Sequence, residues 1–171
     1  LLGDAVSLVA GTENRYDDIR NVGVYHTDNR VFVNSYGAYS VREASASAYG
    51  EMVVKPLAGL RLTGGLRGDY YHYDVDAKDA EAAALGQGRG HDSIVSPKAA
   101  IAYAISPMLE VYGNWGRGFH SNDVRGAVTE MPVPVLVKGT GQELGVRFQL
   151  PHLTLTATYF WIDVGSELRF V

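Results

Sequence analysis

The chain has 171 residues, with Lys plus Arg at 15 and Asp plus Glu at 19, so its formal net charge is −4. That balance argues against a nucleic-acid binder, which presents a basic face, and 20% charged against 46% hydrophobic residues excludes a disordered tail. Cysteine is absent, which removes disulfides, thiolate metal sites and cysteine nucleophiles.

Glycine stands at 20 and tyrosine at 11, with only 6 prolines, a balance that fits an all-β chain rich in turns and interfacial aromatics. No stretch approaches ~18 uninterrupted apolar residues, so no membrane-spanning helix is expected. The chain opens on Leu1-Leu2-Gly3-Asp4 without an initiator Met or a charged stretch before an apolar run. Both ends read as cuts through a longer protein.

Helical periodicity is weak, whereas alternation with period two recurs. The first strand is expected over residues 5–16, with Val6, Leu8 and Ala10 on one side. A long polar connection over residues 17–42 follows, with a short strand candidate inside it at residues 31–33. Residues 43–54 read as a small-residue strand in which Ser45, Ser47, Tyr49 and Glu51 oppose Ala44, Ala46, Ala48 and Met52. After a short turn at residues 55–58, residues 60–71 alternate Leu60, Leu62 and Leu66 with Arg61, Thr63, Arg67 and Asp69. A half-buried strand needs that split.

A second long connection spans residues 75–92. Strands over 95–105 and 109–115 flank a short turn at residues 106–108, and the third long connection covers residues 119–140. Leu144, Val146, Phe148 and Leu150 then alternate with Glu143, Gly145, Arg147 and Gln149. The turn Pro151-His152 leads to a last strand over 153–161, with Leu153, Leu155, Ala157, Tyr159 and Trp161 on one side.

The predicted architecture is therefore an all-β antiparallel up-and-down meander of about seven strands. Short and long connections alternate, which is the habit of outer-membrane barrels with tight periplasmic turns and long extracellular loops. Strand lengths approach the ~9–11 residues a tilted membrane-crossing strand needs. Aromatics gather near the long loops, at Tyr70, Tyr71 and Tyr73, at Trp115 and Phe119, and at Tyr159, Phe160 and Trp161, as a headgroup-level belt requires. The lipid side is expected to carry Leu60, Leu62, Leu66, Leu144, Val146, Phe148, Leu153, Leu155 and Tyr159. The lumen side is expected to carry Arg61, Arg67, Asp69, Glu143 and Arg147. An odd strand count leaves two readings, a missed eighth strand or a segment of a larger barrel, because open edges are not tolerated in hydrocarbon.

Four runs resemble the barrel of TonB-dependent outer-membrane receptors. Ser96-Pro97-Lys98-Ala99-Ala100-Ile101-Ala102-Tyr103 is similar to the family's descending SPK strand. Leu109-Glu110-Val111-Tyr112-Gly113-Asn114-Trp115-Gly116-Arg117-Gly118-Phe119-His120 is similar to an ascending strand with a G-x-G-F rim. Gly141-Gln142-Glu143-Leu144-Gly145-Val146-Arg147 resembles the ELG strand, and Leu66-Arg67-Gly68-Asp69-Tyr70-Tyr71 the GLRxDY strand. The succession covers about residues 43–170. The resemblance implies a segment, residues 1–171, of a barrel of about 22 strands with a plugged lumen, in the outer membrane of a Gram-negative bacterium. It further implies energy from TonB through a plug domain that these residues do not contain, and a scarce small-molecule ligand such as a siderophore, haem, cobalamin or a carbohydrate. Nothing in the residues chooses among these ligands. The competing readings are a self-contained eight-stranded barrel of structural or adhesive role and a soluble β-sandwich binding module.

Candidate chemistry is sparse. Gly86-Gln87-Gly88-Arg89-Gly90 lacks the Lys-Ser/Thr of a P-loop and is read as a flexible loop. His72, Asp74 and Asp76, with His91 and Asp92, bring oxygen and imidazole donors to one hairpin, but without the Gly and terminal Glu of an EF-hand loop. Solvated loop residues are the ordinary reading, and no metal or cofactor is assigned. His120-Ser121-Asn122-Asp123 gathers hydrolase residue types, yet a triad needs convergence from separate segments, so no enzyme is assigned. His120, Asn122, Asp123 and Arg125 of the third long loop are read first as loop structure and second as candidate ligand contacts. The apolar run Met131-Pro132-Val133-Pro134-Val135-Leu136-Val137 is read as a continuation of the descending strand, with folding over the mouth as the alternative.

Overall fold

The computed structural model describes residues 5–165. Seven strands form one antiparallel sheet in simple sequence order: β1 (Val6–Asp28), β2 (Val31–Leu57), β3 (Leu60–Ala77), β4 (Gly88–Ser106), β5 (Leu109–Ser121), β6 (Leu136–Leu150) and β7 (Leu153–Val164). The sheet curls into a half-barrel. Among the described residues one short helix, α1 (Ala80–Leu85), and a 3₁₀ turn over Val124–Val128 sit in the loops, and no helix there is long and apolar enough to cross a membrane. All seven strands share one sheet, so the two-sheet sandwich is set aside. Among the described residues no eighth strand occurs, and β1 and β7 occupy opposite edges.

The expectation of a long polar connection over residues 17–42 is corrected. β1 and β2 run on as a ribbon to a two-residue turn, where Asn29 (φ 49°) and Arg30 (φ 69°) join the Asp28–Val31 pair. Positive φ at both central residues is the turn geometry that matches strand twist. Val31, Phe32 and Val33 therefore belong to β2 and not to a separate strand. The other two long connections hold, shortened by strand extensions at Tyr73–Ala77 of β3 and Gly88–Asp92 of β4.

Register makes the two faces explicit. One cross-strand row reads Leu60, Tyr103, Val111, Val146, Ala157, and the next reads Val54, Leu62, Ile101, Gly113, Leu144, Tyr159. Leu66 lies on the same face by alternation along β3, and Phe148 pairs with Leu155 there. This face is uncovered: Leu66 is 56% and Leu144 59% exposed. The opposite face carries Arg61, Arg67, Asp69, Glu143 and Arg147, as the alternation requires.

The protein's core lies elsewhere. The β4–β5 ladder stops at Lys98 and Gly116, while β3–β4 continues to Val75 and Gly88 and β5–β6 to Ser121 and Leu136. Beyond that split, Tyr39, Val41, Val75 and Ile94 are buried together with Ala82 of α1 and with Val124, Val135 and Leu136. Phe119 meets Tyr71 edge-on at 6.1 Å and packs on this cluster, so it is a core ring and not a belt residue. Trp115 and the Tyr159–Trp161 pair remain on the apolar face. Within the apolar run, Met131 is exposed while Val135, Leu136 and Val137 are buried. The run both folds over this end of the polar face and begins β6.

Candidate functional site

The polar face is knitted by charge pairs. Glu110 lies 3.3 Å from Arg147 and 3.9 Å from Arg61. Arg67 reaches Asp69 at 2.8 Å and Glu13 at 3.0 Å, and Asp69 is itself almost fully buried. Lys98 pairs with Glu51, and Asn114 donates to Glu143. The five polar residues singled out in the sequence thus fall on one face, each with a partner on that face. Such exposed pairs add little stability singly, but they hold long side chains flat against the sheet.

In the third loop, Asn122, Asp123 and Arg125 hydrogen-bond within the loop itself. Asn122 donates from its backbone to the carbonyl of Val135 (2.8 Å) and from its side chain to that of Pro134 (2.8 Å). Asp123 caps the 3₁₀ turn by accepting from the Arg125 backbone N–H (3.0 Å) and from its guanidinium (2.9 Å). Arg125 also stands 5.8 Å over the Tyr39 ring. These three residues shape the loop, while His120 is exposed at the end of β5. The hairpin donors are likewise engaged. Arg42 binds Asp74 (3.0 Å) and Asp76 (3.1 Å), and Asp92 accepts from the Leu136 N–H (3.3 Å). His72 and His91 face each other across β3 and β4, with His91 stacked on Tyr70.

Asp79 is a residue the sequence reading passed over. Its carboxylate caps α1 by accepting from Ala82 N–H (2.8 Å) and binds the Ser35 hydroxyl (2.7 Å) and the Ala38 N–H (3.0 Å). An Asp before an Ala-rich run ending in Gly86 is a readable helix start and stop. The Ser35 hydrogen bond, first, and the backbone donors hold the Asp79 carboxyl below its ordinary range. Arg125 does the same for Asp123. A carboxyl whose folded value is depressed contributes stability that is present above its unfolded value, about 3.9, and is lost as pH falls through the folded value. Amide protection in α1 and the 3₁₀ turn is therefore expected to persist at pH 5 and to fall steeply toward pH 3. Protection unchanged at pH 3 would show that neither cap matters.

An uncovered apolar face, a charge-paired polar face and three of the four tight turns gathered at one end are together the anatomy of a barrel wall. The family model described as TonB dependent receptor-like, beta-barrel, matches residues 1–170. The chain belongs to that family. Solved structures of similar fold include the ferric yersiniabactin uptake receptor FyuA from Yersinia pestis, with TM-score 0.71 at 18% identity over 94% of this chain and 26% of that one. The copper transporter OprC gives 0.67 at 15% identity, over 92% of this chain and 27% of that one. The ferric-catecholate import receptor Fiu from E. coli K12, in its closed form, gives 0.58 at 17% identity, over 93% and 28%. At these identities the likeness is one of fold, and the chain spans only 26–28% of the length of these proteins. No curated protein sequence matches it. The connections bearing α1 and the 3₁₀ turn lie at the same end as the β1–β2 turn, opposite the tight turns at residues 58–59, 107–108 and 151–152.

Proposed function

We propose that residues 1–171 are a stretch of barrel wall in an outer-membrane receptor of a Gram-negative bacterium, one that takes up a scarce, siderophore-like ligand with energy delivered through TonB. The observation that carries this reading is the segregation of the single open sheet into an uncovered apolar face and a polar, ion-paired one. The apolar face meets outer-membrane lipid, and Arg61, Arg67, Asp69, Glu143 and Arg147 line the lumen. Unpaired edges are not tolerated in hydrocarbon, so β1 and β7 pair with further strands of the receptor. TonB acts through a plug domain outside these residues. Ligand contact from the third loop falls to His120, with Asn122, Asp123 and Arg125 setting the loop's shape around it. The chain performs no catalysis on this reading.

The test uses cells carrying the whole receptor, with and without TonB, grown under iron limitation and supplied with radioactive ferric siderophores. Accumulation is expected to need both the receptor gene and TonB. Accumulation that is unaffected by losing the receptor removes ferric ligands, and accumulation that survives loss of TonB removes the energised mechanism.

A further inference from the structure

The acids of the β3–β4 hairpin are taken by neighbours, and its two histidines are not. Asp74 and Asp76 bind Arg42, and Asp92 accepts from the Leu136 N–H. His72 and His91 are direct register partners, both exposed, and among the described residues neither imidazole has a hydrogen bond or an ion pair. Alternation puts them on the outer face, because Leu60, Leu62 and Leu66 hold the even positions of β3 there and His72 continues the series. Gly64 shares a row with Trp115 and Trp161. From Gly64 the strand runs about 26 Å further to His72, away from the tight turn at its start. Both rings therefore stand beyond the tryptophan belt, in water.

Directly opposed side chains on an antiparallel pair have Cβ atoms about 4.5–5.5 Å apart. Two imidazoles on one ion, at metal–nitrogen lengths of about 2.0–2.1 Å, need ring nitrogens no more than about 4 Å apart. Rings rising side by side from such a pair meet that span. His91 is already oriented, stacked on Tyr70 at 5.8 Å with 24° between the planes. Stacking occupies the face of the ring and leaves the nitrogens, which lie on its edge, open. On one side of the pair β2 offers only Ala44, the partner of His72. On the other side β4 has no β5 neighbour at this height, because that ladder ends at Lys98. The open side leaves space for water ligands. The site needs them, since no third metal-binding side chain converges on the pair among the described residues.

We propose that His72 and His91 bind one divalent transition-metal ion, copper(II) foremost, and so clasp β3 to β4 near the rim. Imidazole suits copper, nickel and zinc rather than magnesium or calcium, and copper binds a given nitrogen site most tightly of the divalent series. The clasp falls where β4 forms a ladder on one side only, with β3. An ion that binds the closed ribbon and not the open one holds it closed. The site lies outside the lumen, so the proposal goes beyond the receptor reading and does not depend on it.

The experiment uses the full receptor in detergent, without an affinity tag, and copper(II) alone as the probe. The pulsed EPR spectrum of the bound copper is expected to show two imidazoles. His72→Gln and His91→Gln are each expected to weaken binding by about tenfold or more and to leave one imidazole on the ion. His152→Gln, in the turn between β6 and β7, is expected to change neither. Hydrogen exchange in residues 72–75 and 88–91 is expected to slow with copper, by up to about 100-fold at 100 times Kd, in the parent protein and in neither hairpin variant. A parent spectrum with one imidazole or none overturns the site. So does copper binding that is unchanged in either hairpin variant, or lost equally in His152→Gln. Exchange in those residues that copper does not slow overturns the clasp. Should the variants not fold, the spectrum and the exchange of the parent protein decide, and failure of either overturns the proposal.

Discussion

Arginine in place of Val146 is expected to cost the barrel about 2–4 kcal/mol of stability in lipid, the range for a cation on the lipid face near the midplane. Val146 sits in the row Leu60, Tyr103, Val111, Val146, Ala157, midway between Leu150 at the tight turn and Gln142. Its two direct partners on that row, Val111 and Ala157, offer neither a charge nor a side-chain hydrogen bond, so the guanidinium must stretch toward the interface or draw water inward. Thr63→Arg is the control, because Thr63 pairs with Val53 and Ala100 on the polar face. Its cost is expected to stay within about 1 kcal/mol, as lumen substitutions alter selectivity more than stability. Equilibrium unfolding of the full receptor from vesicles measures both. A larger cost for Thr63→Arg than for Val146→Arg would reverse the assignment of faces.

How much of this was legible in the sequence depends on what surrounds each strand. From β3 to β7 each face has one environment, so Leu144 and Val146 against Glu143 and Arg147 betray the strand by alternation alone. The outer halves of β1 and β2 lack that contrast. Beyond Tyr39 the ribbon has no third strand beside it, α1 covers only the stretch near Ser35–Ala38, the outer part is exposed, and polar residues such as Asp18, Arg20 and Asn21 stand beside Val22 and Val24. Register shifts near Ile19, Val24 and His26 break the period further, and an Asn-Arg turn lacks the glycine that signals a hairpin. The site was less legible still. Asn122, Asp123 and Arg125 were visible as polar residue types, but whether they face a ligand or their own loop depends on Pro134 and Val135 returning beside them.

Gly86→Ala is expected to dislodge the loop cluster. Gly86 ends α1 at φ 134° and ψ 151°, a conformation that is open to glycine and strained by about 1–3 kcal/mol for other residues. A Cβ there would lie 2.0 Å from the carbonyl oxygen of Val128 and 2.8 Å from its carbon, and both are backbone atoms that cannot rotate aside. The helix must therefore withdraw from the 3₁₀ turn. Ala82, fully buried, would lose its place in the cluster, and the hydrogen bond from the Tyr39 hydroxyl to the Ala82 carbonyl (3.2 Å) would break. The damage should stay local, because the cluster lies beyond the end of the β4–β5 ladder and the membrane-level rows do not pass through it. Hydrogen exchange is expected to show lost protection in α1 and in residues 124–128, with protection in β5 and β6 below Gly116 and Gly141 retained. Gly64→Ala is the matched control, since a Cβ at that strand position meets nothing within 4 Å, and it should leave both regions as they were. Full protection of α1 in Gly86→Ala would mean that α1 and the 3₁₀ turn do not touch, and the loop cluster would have to be rebuilt without that contact.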